Sequence, residues 1–175
     1  MKTGYSMALL ALATVALTPN ALAHASLETK AAPAGSHYKA VIRIGHGCDG
    51  AATHTLRVQL PPEMHQSKPM PKPGWELQRV QQKLDAPYDY DGQSVTEDAR
   101  ELVWSGGSLP DDYYDEFVFT TVLAGEIGQT LYVKAIQECD GAQVRWEQIP
   151  AEGQSSHDLA FPAPGVRLEG RAHHH

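Results

Sequence analysis

His24 is the residue whose chemistry depends most on its place in the chain. As the first residue of a processed protein it would offer an α-amine and its own imidazole, two nitrogens able to chelate one metal ion. Paired nitrogens of this kind suit Cu(II), which favours tetragonal nitrogen and oxygen ligands and binds most tightly among the divalent first-row metals. Cleavage after Ala23 would create that terminus. Met7–Leu17 is an apolar run behind a lysine-bearing start, and Ala21-Leu22-Ala23 is a small-x-small triplet, so residues 1–23 read as a secretory signal peptide. Ala23-His24-Ala25 is a second such triplet, and cleavage there would remove His24. Any residue can follow a cleavage site, so His24 alone does not establish a metal role.

Cys48 and Cys139 each end a strand-like segment and precede Asp-Gly. In an exported protein an even pair of cysteines reads as one disulfide. A two-cysteine copper(I) site is the other reading, kept open by His46, which lies close to Cys48 and between two glycines, as an exposed turn residue would. Trp146 shares a strand face with Val144, the pattern of an indole in a core. Met64 and Met70 carry thioethers that suit Cu(I) but lack a regular spacing. Asp111, Asp112, Asp115 and Glu116 form an acidic run whose default is a solvated edge, since the spaced Asp/Asn/Gly loop of a calcium site is missing. Neither a Gly-x-Ser-x-Gly elbow nor a His-Glu-x-x-His pair occurs, which leaves hydrolase chemistry without support.

The elements that must position these residues are strands. A chain of 175 residues with 42% hydrophobic and 20% charged residues makes one globular domain. Tyr38, Ala40, Ile42 and Ile44 alternate with His37, Lys39, Val41 and Arg43, and His54, Leu56, Val58 and Leu60 alternate with polar positions. Similar segments follow at Trp75–Gln82, part of Ser94–Trp104, Glu116–Leu123, Thr130–Gln137, Ala142–Ile149 and Val166–Leu168, with Pro- or Gly-bearing breaks at Lys68–Gly74 and Gly106-Gly107. Many short strands with frequent turns predict an antiparallel β-sandwich of immunoglobulin-like or cupredoxin-like type. The net charge of −7, without a basic cluster, argues against a nucleic-acid partner. No apolar stretch after the leader is long enough to span a bilayer.

Several motifs then occur in one order: His24-Ala-Ser-Leu-Glu28, Ala32-Pro-Ala-Gly-Ser36, Lys68-Pro-Met-Pro-Lys-Pro-Gly-Trp75, Val103-Trp-Ser-Gly-Gly107, Leu109-Pro-Asp-Asp-Tyr-Tyr-Asp-Glu-Phe117, and Gln137-Glu-Cys-Asp-Gly141 with Arg145-Trp146. Together they resemble the YcnI-like copper-binding family of exported bacterial proteins, from His24 to about Pro164. The resemblance implies an immunoglobulin-like sandwich over residues 24–169 that binds Cu(II) through a monohistidine brace. In that brace the terminal histidine gives amine and imidazole, a glutamate gives oxygen and a tryptophan lies against the metal. Position makes the histidine His24 and the tryptophan Trp146. Where the family has its glutamate this chain reads Ile44-Gly-His-Gly-Cys48, so His46 is the nearest substitute and Glu28 the second. The resemblance further implies a periplasmic or secreted chaperone or buffer rather than an enzyme, exchanging copper with other periplasmic chaperones or a membrane copper transporter. A copper monooxygenase and a metal-free adhesion module are the competing readings. The tail over residues 170–175, with its three histidines, carries no assigned role.

Overall fold

The computed structural model describes residues 24–171, so the expected leader and the terminal histidines lie outside the described residues. In chain order the strands are β1 (Ser26–Leu27), β2 (Ala31–Pro33), β3 (His37–Ile44), β4 (Thr53–Gln59), β5 (Met64–Pro69), β6 (Glu76–Tyr90), β7 (Gln93–Leu109), β8 (Asp115–Leu123), β9 (Thr130–Tyr132), β10 (Lys134–Cys139), β11 (Ala142–Trp146) and β12 (Gly165–Glu169). Apart from one 3-10 turn at Ser156–Asp158, every regular element among the described residues is a strand. One sheet has the order β1-β3-β8-β5 and a second β11-β10-β4-β7-β6, while β2-β12-β9 form a small third sheet. The pairings are antiparallel except that of β12 with β2. No helix among the described residues is long and apolar enough to cross a membrane.

The core follows from the alternation. Tyr38, Ala40, Ile42 and Ile44 of β3 are buried beside Phe117, Phe119 and Leu123 of β8. Leu56 and Val58 of β4, Leu102 and Trp104 of β7, Ala135 of β10 and Trp146 of β11 belong to the same apolar cluster from the second sheet. Because side chains on a strand point alternately to opposite faces, one parity of each strand is enough to build this layer. Met64 is fully buried in it, so its thioether is sealed from solvent, whereas Met70 is 52% exposed.

The strands differ from the expected ones in several places: Thr130–Gln137 is divided between β9 and β10, Ala142–Ile149 stops at Trp146, and three further differences bear on the packing. The segment Met64–Pro69, absent from the expected strands, is β5; its sequence is mostly polar, and Gln66 sits in the left-handed region at φ 53° where the register breaks. The amide of Gln66 donates to the buried Asp98 carboxylate at 2.9 Å, which holds that bulge. Strands β6 and β7 extend well past their expected ends and join at Asp91-Gly92, both with positive φ, as a two-residue hairpin of the primed type requires. Gly106-Gly107, expected to end a strand, lies inside β7 where its pairing with β4 shifts. Gly106 takes φ 73°, and a Cβ on Gly107 would lie 2.1 Å from the Trp75 ring.

Trp75 also meets Phe117 edge to face at 5.1 Å, so the missing side chain at Gly107 is part of the packing. Gly107→Ala should cost roughly 1–3 kcal/mol, the usual range for overpacking. The measurement is the urea midpoint at unchanged slope, and a midpoint equal to that of the parent would show that Trp75 yields freely.

Candidate metal centre

Three of the residues singled out by their chemistry meet at one end of the sandwich. The register Ser26↔Arg43 runs β1 antiparallel to β3, so the residues before Ser26 and those after Ile44 approach the same edge. There the His24 ring lies 5.8 Å from the Trp146 indole, and the His46 ring lies 6.2 Å from the same indole. Phe161 covers it from another side at 5.6 Å. Trp146 is only 1% exposed and belongs to the core cluster, so it closes the core at the point where both histidine rings approach it.

Three restraints fix His46. Cys48 and Cys139 form the expected disulfide, which ties the Gly45–Ala51 loop to the end of β10. Gln137, fully buried on β10, accepts the Trp146 indole N–H at 2.5 Å and donates its amide to the His46 carbonyl and the Thr53 hydroxyl, each at 2.9 Å. The third is weaker: the Asp111 carboxylate stands 3.9 Å from His46 Nδ1, too far for a hydrogen bond but close enough for its charge to act on the ring. That nitrogen also lies 2.6 Å from the Gly47 carbonyl, which can only accept, so Nδ1 carries the hydrogen. In the neutral ring Nε2 is then the nitrogen with the free lone pair. A carbonyl or carboxylate behind one imidazole nitrogen is the usual way to aim the other at a metal. A Cβ on Gly47 would fall 2.0 Å from the Ala51 carbonyl oxygen and 3.2 Å from Asp111, so glycine is what lets these loops close.

Glu28 is not in this group. Its carboxylate pairs with Arg43 at 2.5 Å, and Arg43 also reaches Glu116 at 3.2 Å. The acidic run is solvated only in part: Asp112 is exposed, while Asp115 pairs with Lys72 at 2.6 Å and Glu116 with Arg43. Neither nitrogen of His54 is free, because Nδ1 meets the Gly107 carbonyl at 2.8 Å and Nε2 meets Asp140 at 3.2 Å. The carbonyl first and the carboxylate second raise its pKa above the ordinary histidine value. His65 stacks on Tyr88 at 3.6 Å, and burial lowers its pKa.

Sequence reasoning did not single out Gln137 or Asp111 as parts of this centre. Gln137 carries no local signal beyond an inward strand position, and Asp111 is one of four acids in its run. Among the described residues no three His, Cys, Asp or Glu side chains alone are grouped to hold an ion. The donors that fit Cu(II) are the His24 imidazole, the amine His24 would have after processing, and His46 Nε2, all nitrogen ligands of the kind that ion prefers.

A family model described as "Domain of unknown function (DUF1775)" matches residues 24–168. The chain belongs to this family. YcnI-like proteins, which the sequence resembles, carry the DUF1775 domain. A crystal structure of an uncharacterized protein from Nocardia farcinica, described as an immunoglobulin-like fold, is similar to 83% of this DUF1775 chain and 98% of its own, with TM-score 0.61 and 23% identity. That likeness gives the DUF1775 chain an immunoglobulin-like fold. No curated protein matches it significantly.

Proposed function

We propose that this protein is an exported, periplasmic Cu(II) carrier, a chaperone or buffer that takes up and hands on the ion by ligand exchange. The single observation that carries this reading is the meeting of His24 and His46 against the Trp146 indole. His24 would give amine and imidazole and His46 a third nitrogen, with the Gly47 carbonyl orienting the His46 ring. Glu28, held by Arg43, is the weaker substitute for the family's glutamate. The acceptor would be another periplasmic copper chaperone or a membrane copper transporter.

Fluorescence tests the geometry. Cu(II) is paramagnetic and accepts an electron from a nearby excited indole, so binding should quench Trp146. Trp75 and Trp104 pack instead on Phe117, at 5.1 and 5.6 Å. Trp146→Phe should keep the fold and remove most of the quenching, and undiminished quenching would move the ion elsewhere. In electron paramagnetic resonance His46→Ala should change the Cu(II) hyperfine pattern and Glu28→Gln should not. Asp111→Asn removes a charge 3.9 Å from the His46 ring but no hydrogen bond, so it should change affinity by less than about tenfold.

A further inference from the structure

Beyond the indole, His24 also lines an open-sided cavity of about 350 Å³. Its base comes from β9 and the start of β12, through Thr130, Tyr132 and Gly165, and the loop ahead of β12 supplies Gln154, Ser156 and His157. In a chain of net charge −7, no aspartate or glutamate lines this cavity. Lys30 does, and among the described residues it makes no ion pair.

A site for a hard cation such as calcium would need oxygen anions in its wall. This wall has the opposite chemistry: an ammonium group, imidazole and amide N–H donors, and hydroxyls. Such groups favour an anion, because hydrogen bonds between charged partners are about twice as strong as neutral ones. Pro150, Pro162 and Pro164 add apolar surface between the polar groups, which suits a short carbon chain better than a compact inorganic ion. The volume is at the lower end of small-molecule sites.

We propose that this cavity binds a small organic dicarboxylate, held by Lys30, by His157 and by the hydroxyl and amide donors of the wall. Succinate is the probe. Titrated into the metal-free protein beginning at His24 and followed by amide shifts in nuclear magnetic resonance, it should bind saturably and move residues around Lys30 and Ser156–Asp158. Neutral succinamide, of the same shape, should not bind. Lys30→Glu should weaken succinate at least about tenfold, the scale of one lost charge-assisted hydrogen bond. Lys30 and His157 are both exposed, so His157→Ala is a second variant expected to fold, and it should weaken binding in the same direction.

Absence of saturable binding, binding of succinamide equal to that of succinate, or indifference to Lys30→Glu would each overturn the proposal. Inorganic phosphate that competes as well as succinate would overturn the carbon-chain assignment. Because no metal is present, the result is independent of whether His24 holds copper.

Discussion

Protein that begins at His24 should bind one Cu(II) far more tightly than protein with a single extra residue ahead of it. An added residue turns the His24 amine into a peptide nitrogen and breaks the two-nitrogen chelate. Joining two donors in one residue makes capture of the second intramolecular, an advantage of about 10²–10⁴ in affinity. The loss on extension should fall in that range, read by competition with a chelator of known strength. Truncating the chain after Glu169 removes the terminal histidines from the measurement. Affinity should fall with pH in the His24 form as protons compete for the nitrogens. Equal affinity for the two forms would remove the α-amine from the site and the brace with it.

The second large effect concerns the bridge between Cys48 and Cys139, which closes a loop of 91 residues. In the chain-entropy model a loop of that length is worth about 4–5 kcal/mol, chiefly through the unfolded state it forbids. Cys48→Ser should therefore lower the melting temperature by roughly 10 °C, taking a few degrees per kcal/mol for a domain of this size. Oxidised parent protein should show no free thiol after denaturation. The variant should still bind one Cu(II), since no sulfur belongs to the proposed donor set. Loss of copper by a variant shown to be folded would turn the argument towards a cysteine ligand.

What could be read in the sequence was whatever one face of one strand encodes. The alternation from Tyr38 to Ile44 gave β3 and its main buried parity, although Val41 on the other parity is buried as well. The hairpin of β6 and β7 was only partly legible, because most positions near its tip are exposed or half-buried on both faces and no apolar period results. Asp91-Gly92 was the available signal for it. In the candidate centre, residue type and family likeness led to His24, His46 and Trp146, and exported context led to the disulfide. Gln137 and Asp111 were missed because their parts depend on contacts between loops far apart in sequence. Glu28 matched a donor by type, but its cross-strand neighbour Arg43 engages it.

The parallel pairing of β12 with β2 gives the molecule two poles. β3 starts beside Gly35, where the Ala34 amide bonds to the Glu169 carbonyl at 2.9 Å and the Arg171 guanidinium lies close by. Eight residues later β3 ends next to the Gly45–Ala51 loop, a span of about 26 Å for an extended strand. The chain therefore leaves the sandwich at the pole opposite the histidines. A dye, a sensor surface or a fused module attached after Arg171 would hold the protein with its His24–His46 end facing outward, so the proposed uptake of Cu(II) can be tested on tethered molecules.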